Sequence, residues 1–114
     1  MIRLIARRLI IPRGDTGSFT IPVLRAVSEG DVAVFSIFDT LTRKTVFEKI
    51  IPATAETLTI SLTHEETAGL EPKKYVWDIK IYNEPQYDED SLLIGGTEVH
   101  SYYAGYSLPI CEVR

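Results

Sequence analysis

The stretch Leu62-Thr63-His64-Glu65-Glu66-Thr67-Ala68-Gly69-Leu70-Glu71-Pro72-Lys73-Lys74-Tyr75-Val76-Trp77-Asp78-Ile79-Lys80-Ile81-Tyr82 reads as the end of a strand, one turn of helix, a corner and a half-buried strand. Thr63 followed three residues on by Glu66 is a capping box, in which each side chain satisfies the other's free backbone N–H at a helix start. Gly69 and Pro72 stop that helix after about one turn. Beyond the corner, Tyr75, Trp77, Ile79 and Ile81 alternate with Val76, Asp78, Lys80 and Tyr82, the period of two expected when one face of a sheet is buried and the other is wet. Trp77 is thereby placed in the core.

Working outward, residues 57–63 show the cleanest alternation in the chain, with Leu58, Ile60 and Leu62 on one side and Thr57, Thr59 and Ser61 on the other. Residues 2–11 read as one first strand ended by Pro12 and Gly14, and Phe19, Ile21 and Val23 alternate in a second whose Pro22 marks an edge or a bulge. Glu29-Gly30-Asp31 is a turn before residues 32–38, where apolar residues on both phases predict a strand covered on both faces. Residues 39–43 turn the chain into a strand at 45–51. Residues 83–90, with Pro85 and four acids, read as a surface loop, followed by strands near 97–102 and 106–113. About eight short strands and no long helix predict an all-β fold. The expected form is a single domain over residues 1–114, an antiparallel two-sheet sandwich of immunoglobulin-like topology with one short helical turn near residues 64–68. The cysteine pair of antibody domains is absent.

A chain of 114 residues with 45% hydrophobic and 25% charged residues has ordinary globular composition and enough length for one core. Its lone cysteine, Cys111, forms no internal disulfide or thiolate-rich metal site and reads as a small strand residue. The apolar stretches fall short of the ~20 residues of a membrane helix, and Arg3, Arg7 and Arg8 precede any leader-like apolar block. Neither membrane insertion nor a signal peptide is expected. The net charge is -4, yet it is unevenly spread: the first 25 residues are basic, while Glu84, Asp88, Glu89 and Asp90 form an acidic cluster. Arg3, Arg7, Arg8 and that cluster are therefore candidate interface residues, since such asymmetry steers subunits together. An acidic chain without a basic helix face argues against a nucleic-acid partner.

Catalytic chemistry finds little purchase. His64 and His100 are far apart in sequence, and nothing in their spacing brings them together with a shielded carboxylate. The acidic cluster lacks the glycine and alternation of a calcium loop, and no phosphate loop or nucleophile elbow is present. No catalytic residue, cofactor or metal is expected. Arg13-Gly14-Asp15 matches a short adhesion tripeptide but sits where a turn needs glycine. Tyr87, Tyr102 and Tyr103 belong to a tyrosine-rich last third that, beside the acids, suits stacking on a sugar. A carbohydrate-binding module recognising a host surface glycan is accordingly the alternative to a role in core or interface.

Two stretches resemble a known family: Arg13-Gly14-Asp15-Thr16-Gly17-Ser18-Phe19 with the apolar strand after it, and residues 62–82. Both are similar to small β-sandwich proteins of tailed phages and prophages, including the N-terminal domains of baseplate upper proteins. There a "GDT" phrase opens a strand near the start and a "T..L.PG.Y.YDI" phrase precedes a strand near the end. Leu93-Ile94-Gly95-Gly96-Thr97-Glu98-Val99 resembles their closing segment. Lys73-Lys74 stands where the family usually has a glycine, and Trp77 where a tyrosine is commoner. The resemblance implies a non-enzymatic virion structural protein, made in the bacterial cytoplasm, that assembles with other tail or baseplate subunits or with copies of itself.

Overall fold

A computed structural model describes residues 1–22, 30–53, 57–90, 93–101 and 108–114 of the chain. The described residues are mostly β, with one short helix. In chain order the elements are β1 (Arg3–Ile5), β2 (Arg8–Ile11), β3 (Gly17–Pro22), β4 (Val32–Asp39), β5 (Thr45–Pro52), β6 (Thr57–Leu62), α1 (His64–Ala68), β7 (Lys74–Tyr87), β8 (Leu93–Ser101) and β9 (Ile110–Val113). A large sheet runs β1-β2-β9-β7-β4-β5, with β8 pairing the far half of β7, and β3 and β6 make a second, two-stranded sheet.

Alternation decides the small sheet. Phe19 and Ile21 on β3 and Leu58, Ile60 and Leu62 on β6 are buried, while Ser18, Thr20, Thr57, Thr59 and Ser61 face out. Pro22 is the last residue of β3, opposite Thr57, in a two-stranded sheet, a position where proline is tolerated. The inward residues of both sheets share one core, with Leu9, Ile11, Phe35, Ile37, Trp77 and Ile79 from the large sheet meeting Phe19, Leu58 and Ile60. Phe19 packs edge-on against Phe35 (5.5 Å between centroids) and Trp77 (6.1 Å), a geometry that adds to area burial.

The corner that led the reading forms as expected. Thr63 and Glu66 complete the capping box at the start of α1, and Gly69 caps its end. The Tyr75 hydroxyl at the start of β7 donates to the Glu71 carbonyl oxygen (2.9 Å), tying strand to corner. Burial pushes the thiol of Cys111, fully buried on β9, up to about 12, as befits a small strand residue.

Four expectations need correction. Residues 2–11 are not one strand: the chain reverses at Ala6-Arg7, and β1 folds back on β2 with Ile5 opposite Arg8. A two-residue turn normally recruits glycine or asparagine; here Ala6 takes φ 54° instead, so no turn residue marked it. β2 and β9 pair in parallel, Leu9 beside Cys111, within an otherwise antiparallel sheet. Parallel neighbours need a long crossover, which here is nearly the whole chain. The second face of β7 is not wet throughout: Val76 and Asp78 are buried, because β4 and β9 flank the strand and set Phe38 and Ile110 opposite Val76. Residues 83–87 are strand, not loop. Pro85 falls at the break in register between Asn83 and Gln86, where an unpaired residue costs no ladder bond.

Candidate functional site

The N-terminal hairpin supplies a basic edge to the large sheet. Its tip is held from within, since Trp77 Nε1 donates to the Arg7 carbonyl oxygen (3.3 Å) and so fixes the reversal against the core. The β1–β2 and β2–β9 registers put Arg3, Ile5 and Arg8 on the same outward face as Ile110 and Glu112. Arg8 is ion-paired to Glu112, and Arg114 Nε reaches the other oxygen of that carboxylate at 2.8 Å. Arg114 first and Arg8 second hold the Glu112 carboxyl down at about 2. One carboxylate thus serves two guanidinium groups, leaving the edge basic.

Beside these arginines lies a shallow concavity of about 280 Å³ lined by Arg7, Arg8, Leu108, Pro109 and Ile110. Ile110 at its rim is 41% exposed and Ile5 on the hairpin 52%. Charge next to uncovered aliphatic surface is the composition of a recognition patch more than of a solvated face.

The acidic residues lie elsewhere. The backbone of Glu84 runs within β7, and Asp88, Glu89 and Asp90 make the turn from β7 towards β8. The Asp90 N–H donates to Asp88 Oδ1 (2.9 Å), which shapes the turn, and Tyr87 just before it is 45% exposed. Between Trp77 and Tyr87 the strand advances ~30 Å at about 3.3 Å per residue, most of the molecule's 36 Å long dimension. The fold therefore separates the basic and acidic candidates. Tyr102 and Tyr103 lie outside the described residues, so Tyr87 is the member of the proposed sugar-stacking set whose exposure is fixed.

Several other polar groups hold the fold. Lys49 crosses from β5 to Glu66 (2.9 Å) and the Ser61 carbonyl oxygen (2.6 Å), joining the open side of the two sheets. Arg13-Gly14-Asp15 is a turn fastened to α1: Arg13 Nε donates to the Ala68 carbonyl oxygen (3.1 Å), the Thr67 hydroxyl to that of Asp15 (2.7 Å), and the His64 ring contacts that of Gly14. Gly14 takes φ 81°, which accounts for the glycine. Lys73 pairs with Asp39 (2.7 Å), whose other oxygen accepts from the Leu41 and Thr42 N–H groups. Among the described residues no His, Cys, Asp and Glu side chains group as metal ligands, and no helix is long and apolar enough to cross a membrane.

Arg7 and Arg8 were legible as a basic strand, but their neighbours were not. Glu112 lies 104 residues from Arg8, and no local spacing signals that pairing. The chain matches no protein-family model, no curated protein and no solved structure.

Proposed function

We propose that this chain is a non-enzymatic structural module of a phage or prophage virion, a tail or baseplate part that works by holding neighbouring subunits. The observation that carries the reading is the placement of opposite charge at two remote stations, the hairpin edge and the β7–β8 turn, each with an exposed apolar or aromatic residue beside it. Patches of that kind suit protein–protein contact, where charge sets approach and register and uncovered carbon supplies affinity. The two family-like stretches add to it: the first runs from the turn fastened to α1 into β3, and the second spans α1, the corner and the embedded half of β7.

An immunoglobulin-like topology belongs to the same reading. β3 and β6 take the places of strands B and E, and β4, β5, β7 and β9 those of C, C′, F and G. The Tyr75 hydroxyl bond to Glu71 matches the tyrosine corner of such domains, with Trp77 standing where antibody domains carry a cysteine. The test is quantitative mass spectrometry of nuclease-treated, density-purified particles induced from the source strain. The chain should be present at a fixed ratio to the other tail proteins; its absence from intact particles defeats the proposal.

A further inference from the structure

We propose that the concavity at the N-terminal hairpin receives the β7–β8 turn of a second copy of this chain, giving a head-to-tail contact in which Tyr87 seats against Leu108, Pro109 and Ile110 while Glu89 and Asp90 face Arg7 and Arg3. The inference deepens the assembly role proposed above and rests on it.

Size, charge and geometry each select this occupant. A volume of about 280 Å³ lies just under the ~300 Å³ at which small-molecule pockets begin, so the hollow suits one large side chain. Its lining combines two arginines with aliphatic residues, and tyrosine presents an apolar ring with a polar tip to match both. The β7–β8 turn offers such a ring, 45% exposed, next to a run of carboxylates. A molecule cannot satisfy this pairing alone, because ~30 Å of strand separates its own turn from its own hollow. The complement is another copy. Since the two surfaces differ, the contact is heterologous, and repetition yields a closed ring or an open filament.

The experiment is light scattering coupled to size-exclusion chromatography on the full chain over a wide concentration range. Variants are an edge chain, Arg3→Glu with Arg7→Glu, and a turn chain, Glu89→Lys with Asp90→Lys, all at exposed positions. Arg8 is left intact because it holds Glu112. Wild type should associate, and more weakly as salt rises from about 0.1 to about 1 M and the screening length falls from roughly 10 to roughly 3 Å. Each variant alone should be monomeric. Mixed, the two should associate again, because the native turn of the edge chain meets the native edge of the turn chain and the reversed turn of the turn chain meets the reversed edge of the edge chain; a chain carrying both sets should associate in the same way. Tyr87→Ala should raise the dissociation constant roughly tenfold or more. A monomeric wild type, variants that associate as wild type does, or a mixture that stays monomeric overturns this contact. None of these results touches the presence of the chain in particles, which tests the assembly role separately.

Discussion

The two halves of β7 behave as different kinds of strand. From Lys74 to Tyr82 it has β4 along one edge and β9, then β8, along the other, and its inward side chains fill the core, with Trp77 at 0% exposure. From Asn83 to Tyr87 its described partner is β8, and the half ends on an exposed tyrosine and an acidic turn. One backbone thus runs from a part that stabilises the fold into a part that presents side chains to water. The difference shows that alternation of residues marks where a strand runs, whereas stability depends on what is packed against it.

The sharpest way to break this comparison is to truncate an aromatic in each half. Trp77→Ala removes ring contacts to Phe19 and Phe35 and the bond to Arg7. It should cost about 3–5 kcal/mol in urea unfolding, while Tyr87→Ala should cost less than about 1 kcal/mol. Equal losses would erase the distinction. Next in size, Thr63→Ala deletes the cap that leads the chain into the embedded half and should cost about 1 kcal/mol. Ala6→Gly relieves a left-handed alanine and should gain about 0.5–1 kcal/mol in the same assay.

Glu112 probes the embedded half through pH. Its carboxyl titrates at about 2 in the fold, against roughly 4.3 in an unfolded chain, so folding is favoured by the ionised form. That contribution is full above about pH 4.3 and is lost as the pH falls through about 2. Thermal midpoints should therefore drop less steeply across this window in Glu112→Gln than in wild type. The smallest expected effect sharpens the other half: Glu89→Lys with Asp90→Lys should leave unfolding free energy within about 0.5 kcal/mol, because the exposed turn carries little of the fold.

Legibility followed the range of the interactions. The capping box at Thr63 and Glu66, the alternation of β6, the doubly covered β4 and the inward face of β7 were all readable, since each depends on neighbours a few residues apart. The candidate site was readable as to charge but not as to place. Arg3, Arg7 and Arg8 declared a basic segment, while the reversal at Ala6 that turns it into an edge hairpin carries no turn residue. Pro85 and its acidic neighbours suggested a loop, and only the register break opposite β8 shows how a strand accommodates them.

By itself, then, the sequence determined an all-β chain with a capped corner, a tryptophan-centred core and segregated charge, because periodicity, capping and composition act within a few residues. Tertiary structure decided the parallel β2–β9 pair, the Arg8–Glu112–Arg114 cluster, the hollow beside Ile110 and the separation of basic edge from acidic turn. Each of these joins or parts residues remote in the chain, and such distances are fixed by how backbone hydrogen bonds and apolar faces are satisfied across the whole fold.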